Sequence, residues 1–126
     1  MKTVHDLVVE AKKTVREISI DQALKVIQTC DVLIDVREND EYLAGHLPDA
    51  IGMSRGMLEF MMASNPKLQQ RDLSIVLYCK TSGRAALCAQ SLANLGYTDI
   101  QSIEGGIDAW LAAGHEVFKP VQPSFD

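Results

Sequence analysis

Hydrophobic residues along this chain follow two spacings, one typical of short buried strands and one of helices. Strand-length apolar runs occupy residues 32–36 (VLIDV), 74–78 (SIVLY) and 99–103 (DIQSI), and a weaker one lies at 49–53 (DAIGM). The runs at 32–36 and 74–78 are continuously apolar or nearly so, which is typical of strands buried on both faces of a sheet. The pattern therefore predicts at least four short strands.

Helical spacing fills the intervals between these runs. Thr3 is a candidate cap for a first helix that extends to about Val15, and Ser19 with Gln22 resembles a capping box for a second, to about Thr29. The spacing predicts further helices over about 38–43, 56–63, 84–95 and 106–113, the third ending at Gly96.

Alternation of short strands with helices predicts an α/β fold, a parallel sheet with helices on both faces. A chain of 126 residues is long enough for one such core. We expect a helical extension over residues 1–16, one domain over 17–119 and a flexible tail over 120–126. Ligands of such sheets bind beyond the carboxyl ends of the strands.

Composition narrows the choice of partners. The net charge is −5 and no basic run is present, which argues against nucleic acid and anionic membranes. No apolar run approaches the roughly 20 residues of a membrane-spanning helix. The three cysteines, Cys30, Cys79 and Cys88, are odd in number and lack zinc-like spacing, so we expect free thiols, no metal site and a cytoplasmic location.

The residues that follow the strand at 74–78 suggest a reactive thiol. Cys79 comes directly after the strand, and the predicted helix begins at Arg84. Backbone N–H groups of the intervening loop and of the helix start favour an anionic sulfur. The alternative for Cys79 is a buried structural cysteine at a strand end beside an ordinary helix cap. We interpret Cys88 differently, as a core thiol, because it lies on the apolar face of the predicted helix.

Each residue of this loop has a predicted contribution. We expect the backbone amides of residues 80–84 to surround the sulfur, and Gly83 to allow a backbone angle that other residues resist. Thr81 and Ser82 offer hydroxyl donors. Lys80 and Arg84 offer positive charge.

Three motifs in succession resemble those of the rhodanese family of single-domain sulfurtransferases. They are LIDVRENDEYLAGHLPDAIGM, LYCKTSGR and LGYTDIQSIEGGIDAW, and the resemblance covers about residues 17–116. It implies about five parallel strands and a catalytic cysteine, Cys79, that carries sulfur as a persulfide. It further implies that Asp35 supports the loop through hydrogen bonds and that Arg37 and Glu41 form a structural ion pair.

The length of the cysteine loop distinguishes sulfur transfer from the cysteine chemistry of phosphatases and arsenate reductases. Phosphatases and arsenate reductases of similar fold have five residues between cysteine and arginine, whereas four separate Cys79 from Arg84. The shorter loop favours one bound sulfur over a phosphate group. A third reading is a binding module of the same fold, although such modules commonly lack the cysteine.

The resemblance also implies substrates. We expect a small donor such as thiosulfate, and cyanide, a thiol or a protein thiol as acceptor, with no metal or organic cofactor. Two departures limit this: many members have glycine at the position of Ser82, and thiosulfate-using two-domain enzymes have lysine at that of Thr81. We expect Arg55 to attract an anionic donor, and leave open whether the methionine-rich segment 53–62 is core or a docking surface.

Overall fold

The computed structural model describes residues 1–121, and its centre is a five-stranded sheet in which all strand pairs are parallel. The strands are β1 Arg16–Ile18, β2 Val32–Asp35, β3 Ile51–Gly52, β4 Ser74–Tyr78 and β5 Asp99–Ile103. Their order across the sheet is β1-β5-β4-β2-β3. This confirms the predicted α/β fold, with β4 at its centre.

Six α-helices accompany the strands within residues 1–121. They are α1 Val4–Lys12, α2 Ile20–Val26, α3 Asn39–Ala44, α4 Leu58–Ser64, α5 Gly83–Asn94 and α6 Gly106–Ala112, with one 3₁₀ turn at Pro66–Leu68. Capping boxes form at Thr3 with Asp6 and at Ser19 with Gln22, where each side chain bonds the other residue's backbone N–H. The second of these boxes was predicted from sequence.

The side chains of β4 divide the core between the two faces of the sheet. Ile75 and Leu77 point to one face, where they pack with residues of α4 and α5, and Cys79 belongs to the same cluster. Val76 and Tyr78 point to the other face, among residues of α2 and α6. The alternation expected of a strand thus directs the Cys79 thiol toward α5.

The first strand, β1, is absent from the sequence prediction. It is three residues long and pairs with β5 at the edge of the sheet, and of its residues only Ile18 is buried. A short edge strand with one buried side chain carries no apolar run, so periodicity cannot detect it. The strand also spans the predicted boundary at residue 16, and the N-terminal segment therefore contributes to the sheet.

The C-terminal segment is partly tied to the domain. Phe118 and His46 exchange backbone hydrogen bonds of 2.9 and 2.8 Å. Most of the predicted flexible tail, residues 122–126, lies outside the described residues. Through residue 121, no helix has the length and apolar character needed to cross a bilayer.

The methionine-rich segment is divided between the core and the surface. Met53 and Met62 are buried in the α4 side of the core, while Met57 and Met61 are exposed. Phe60, with 68% of its surface exposed, lies between them in sequence. Core packing and surface exposure therefore both occur within residues 53–62.

Candidate active site

Cys79 lies directly beyond the carboxyl end of β4, in the turn that leads into α5. Its side chain is almost fully buried, with 1% exposed. The backbone N–H of Ala85, in the first turn of α5, donates a hydrogen bond to its Sγ at 3.4 Å. The sulfur is thus held at a helix N-terminus, where the helix dipole and unpaired N–H groups stabilise negative charge.

The carbonyl groups of the loop are held by α6. The N–H of Ile107 donates to the Cys79 carbonyl at 2.9 Å, and that of Asp108 donates to the Lys80 carbonyl at 3.1 Å. These bonds use amides at the start of α6 that have no partner within that helix. As a result the loop directs carbonyl oxygens to α6, and Cys79 directs its sulfur to α5.

Gly106 makes this arrangement possible. Its φ is +57°, and a Cβ at this position would overlap the carbonyl oxygens of Cys79, Lys80 and Thr81. Only glycine combines this backbone angle with so close an approach. The sequence prediction assigned Gly106 to the opening of a helix and did not recognise its contact with the cysteine loop.

Two predicted features of the loop are corrected by the structure. Gly83 does not have a positive φ, and a Cβ there would make an ordinary contact of 3.5 Å with Val8. The N–H group that reaches the sulfur belongs to Ala85, one residue beyond the predicted amides of residues 80–84. The reason is that Ala85, as the third residue of α5, lies on the helix side that faces the strand end.

Two of the polar side chains of the loop, those of Lys80 and Ser82, have partners outside the loop. The Lys80 ammonium forms an exposed ion pair with Asp108 at 2.7 Å. Thr81 is exposed, and the Ser82 hydroxyl accepts a hydrogen bond from Lys12 Nζ at 2.7 Å. The roles of Lys80, Thr81 and Ser82 as anion ligands stay predictions.

The predicted ion pair between Arg37 and Glu41 is wrong. Arg37 instead pairs with Asp35, whose carboxylate is fully buried, through Nη2 at 2.8 Å and Nε at 3.1 Å. Arg37 also donates to the Gly45 carbonyl. Residues two apart in the chain form the pair because the strand ends at Asp35 and the chain turns there. Within residues 1–121, the Asp35 carboxylate accepts hydrogen bonds from Arg37 and none from residues 79–84, so the predicted hydrogen bonds from Asp35 to the loop are not found.

Glu41 pairs with the arginine of the cysteine loop. Arg84 Nη1 lies 2.7 Å from Glu41 Oε1, and Nη2 lies 3.1 Å from Oε2. These hydrogen bonds lower the pKa of Glu41 to about 2 and raise that of Arg84. The hydrogen bonds of the Arg84 guanidinium therefore link the start of α5 to α3.

Arg55 lies near the site, and within residues 1–121 its side chain makes no hydrogen bond or ion pair with the loop. Its backbone N–H donates to the Val36 carbonyl at 3.1 Å, which places it by the end of β2. Its side chain is exposed, and its charge acts to lower the pKa of Cys88, against the larger effect of burial. Arg55 therefore remains a candidate for attracting an anionic donor.

The other two cysteines are in environments that suppress reactivity. Burial raises the pKa of the Cys88 thiol to about 12 and also raises that of the half-buried Cys30. Neither thiol is in a disulfide. Among residues 1–121, no group of three or more His, Cys, Asp or Glu side chains is placed to hold a metal ion.

The protein-family model of the rhodanese-like domain matches residues 19–113 of this chain. The chain belongs to the rhodanese family. The match begins after β1, so that strand and α1 lie outside the residues that the family model matches. It includes the cysteine loop and the part of α6 that holds the loop carbonyls.

Relatives agree with this assignment. The chain is 31% identical over 102 residues to the thiosulfate sulfurtransferase GlpE of Pseudoalteromonas translucida, a match that covers 80% of this chain and 93% of the relative. A polysulfide-sulfur transferase homodimer from Wolinella succinogenes matches at a TM-score of 0.74 and 35% identity, covering 89% and 84% of the two chains. Sulfur transfer is thus the activity named for relatives in both comparisons.

A third match has a different title. A protein of unknown function from Rhodopseudomonas palustris, described as a possible tyrosine phosphatase, has a TM-score of 0.83 and 27% identity, covering 94% of this chain and 96% of that one. This structural similarity therefore extends over nearly all of both chains. The reaction must therefore be argued from the cysteine loop itself.

Three contributions to the site were not predicted from sequence. They are the Ala85 amide on the sulfur, the tight contact of Gly106 with the loop, and the Lys12 ammonium on Ser82. Only the second has a sequence signal, since paired glycines at a helix start indicate a close backbone approach. The other two depend on how α1 and α5 are oriented in space.

Proposed function

We propose that this protein is a sulfurtransferase that moves sulfane sulfur from a donor such as thiosulfate to cyanide or a thiol, through a persulfide on Cys79. The observation that carries the proposal is the hydrogen bond from Ala85 N–H to Cys79 Sγ at the N-terminus of α5. An amide so placed stabilises sulfur as a thiolate before transfer and as a persulfide anion afterwards. The loop therefore suits a nucleophile that is anionic in both resting states.

The reaction has two displacement steps. The Cys79 thiolate attacks the outer sulfur of thiosulfate, the new Sγ–S bond forms, and sulfite leaves with the electron pair of the broken S–S bond. Cyanide or a thiolate then attacks the terminal sulfur of the persulfide, and the cysteine leaves as a thiolate. Neither step transfers electrons to a third reactant, so the chemistry requires no metal or organic cofactor.

The donor need not be thiosulfate. The predicted loop cations are engaged elsewhere, Lys80 with Asp108 and Arg84 with Glu41. This leaves Arg55, which is exposed beside the strand end, as the candidate for attracting an anion. The names of the relatives point to two donors for assay, thiosulfate and polysulfide.

Phosphate chemistry fits this site less well. A phosphatase loop needs its arginine for the phosphate oxygens, whereas both terminal nitrogens of Arg84 are hydrogen-bonded to Glu41. Four residues rather than five separate Cys79 from Arg84. Aryl phosphate hydrolysis by the purified protein, lost in Cys79→Ser, would overturn this preference.

A binding role has one observation in its favour. Met57, Phe60 and Met61 are exposed on and just before α4. Such a patch suits contact with a protein that delivers or accepts sulfur. This role is compatible with catalysis, and the intact cysteine loop makes catalysis the primary proposal.

The decisive experiment measures thiocyanate formation from thiosulfate and cyanide, and from polysulfide and cyanide, in the wild type, Cys79→Ser and Cys88→Ala. We expect turnover in the wild type and Cys88→Ala and none above background in Cys79→Ser. Mass spectrometry after donor treatment should find one added sulfur on the Cys79 peptide. Absence of that sulfur with both donors would contradict the proposed persulfide.

A further inference from the structure

Helix α1 and strand β1 lie outside the matched family domain, yet α1 reaches the cysteine loop. Val8 packs near Gly83, the first residue of α5, where an added Cβ would lie 3.5 Å from its Cγ2. At the end of α1, Lys12 Nζ donates to the Ser82 hydroxyl at 2.7 Å. The same ammonium lies 3.8 Å from Glu17 Oε2 in β1.

Ser82 is the N-cap residue of α5, and its side chain makes no capping bond. A serine at this position ordinarily accepts the N–H of the second or third helical residue. The third residue of α5 is Ala85, and its N–H donates to Cys79 Sγ. The Ser82 hydroxyl and the Cys79 sulfur are therefore alternative acceptors for the same first-turn amide.

Lys12 donates a hydrogen bond to the Ser82 hydroxyl, the acceptor that would otherwise compete with the Cys79 sulfur for the Ala85 N–H. Its ammonium is positioned by Glu17, whose Oε2 is buried and has no hydrogen-bond partner within residues 1–121. With a strong cationic donor 2.7 Å away, the Ser82 oxygen is directed toward α1.

We propose that Lys12 is a positioning residue that holds the Ser82 hydroxyl away from the α5 N-terminus and so leaves the Ala85 amide for the Cys79 sulfur. The inference rests on the proposed function in that it takes Cys79 as the reactive anion. It assigns the N-terminal segment a role in tuning the active site, through a contact from Lys12, which precedes the matched residues 19–113, to Ser82 within them.

The test measures the alkylation rate of Cys79 by iodoacetamide from pH 5 to 9, followed on the Cys79 peptide by mass spectrometry. Loss of one hydrogen bond to the sulfur should slow alkylation of Lys12→Met at neutral pH by about threefold to tenfold and shift its pH profile upward. Lys13→Met removes the same charge from an exposed neighbour and should match the wild type. The other charges around the loop, on Arg84, Glu41, Lys80, Asp108 and Arg55, are unchanged in both variants.

Ser82→Ala separates positioning from simple charge. If Lys12 acts through Ser82, then Lys12→Met has little further effect once the hydroxyl is absent, and Ser82→Ala restores the rate of the double variant toward wild type. Lys12→Arg, which keeps a donor cation, should retain most of the rate. Equal slowing by Lys12→Met with and without Ser82, or no slowing at all, would overturn the proposal.

Alkylation does not require sulfur transfer, so the two proposals fail separately. A wild type that transfers no sulfur but shows the coupling between Lys12 and Ser82 would contradict the proposed function alone. Circular dichroism and the melting temperature of each variant show that the fold is intact. If Lys12→Met did not fold, the coupling would be measured with Lys12→Ala, which also lacks a donor and is expected to behave in the same way.

Discussion

Cys79 and Cys88 are both buried on the α5 side of the sheet, yet their surroundings differ in one decisive respect. Their exposed fractions are 1% and 2%, and both belong to the same core cluster. Cys79 lies before the first turn of α5, where the Ala85 amide is available to its sulfur. Cys88 lies in the middle of α5, where backbone amides are used by the helix itself.

The comparison shows that burial by itself does not determine what a thiol does. Burial raises the pKa of Cys88 to about 12, because a thiolate there would lose hydration without gaining a partner. At the helix start, an N–H group replaces part of the lost hydration. The position of a cysteine relative to a helix terminus therefore separates a core thiol from a candidate nucleophile.

The largest expected effect is the difference in reactivity between the two thiols. At pH 8, a pKa of about 12 leaves roughly one Cys88 in 10,000 as thiolate, so alkylation of Cys88 should be at least about a hundredfold slower than that of Cys79. Peptide mass spectrometry after timed iodoacetamide treatment measures both rates in one sample. Equal labelling of the two cysteines in the folded protein would invalidate the comparison.

Gly106→Ala should disrupt the Cys79 end and leave the Cys88 end in place. The added Cβ would overlap three loop carbonyls at a φ of +57°. We expect a loss of about 2–4 kcal/mol in the free energy of unfolding and at least about a hundredfold in sulfur transfer. Urea denaturation and the thiocyanate assay measure these effects.

Gly114→Ala is the matched control, since its φ is +86° and nothing lies within 4 Å of an added Cβ. It should cost only the backbone strain, about 1–2 kcal/mol, and leave sulfur transfer within about twofold. An equal loss of activity in both variants would indicate that loop contact is not what Gly106 supplies.

The Glu41–Arg84 pair should make the Cys79 end acid-sensitive. Because the pKa of Glu41 is lowered to about 2 in the folded protein, its stabilising contribution is present above about pH 4.5 and is lost as pH falls from there toward 2. The difference in unfolding free energy between wild type and Glu41→Gln should therefore shrink between pH 6 and pH 3. Urea denaturation at both pH values measures it.

Asp108→Asn provides the control for this pair. It breaks the exposed pair with Lys80, in which 60% and 46% of the Lys80 and Asp108 side chains are accessible, and should change stability by no more than about 1 kcal/mol. A Glu41→Gln effect that stays constant across this pH range would show that the carboxylate is not held ionised by Arg84.

The smallest expected effect concerns Arg55, whose charge influences the thiol region from its edge. Arg55→Ala should raise the apparent KM for thiosulfate about twofold to fivefold with little change in kcat, and the effect should weaken at high salt. The control is Arg16→Ala, which removes the same charge at the amino end of β1, on the edge of the sheet opposite the carboxyl ends of the strands. An unchanged KM would remove Arg55 from the donor site.

Local patterns determined a large part of this protein. The predicted strands at 74–78 and 99–103 coincide with β4 and β5, and Ser19 caps α2 as expected. The sequence also predicted that Cys79 lies at a strand end, with four residues between it and Arg84. Strand periodicity, capping and loop length are set by neighbouring residues, so they are visible in a linear sequence.

Contacts between distant segments could be decided only by the tertiary structure. The sequence could not show that Arg37 pairs with Asp35 and Glu41 with Arg84. These pairs depend on where β2 ends and on the direction in which α3 approaches α5. Nor could it place Lys12 on Ser82, 70 residues away. Local spacing determines the secondary-structure elements and the position of the nucleophile. The packing of helices onto the sheet determines which charges, amides and glycines surround the sulfur.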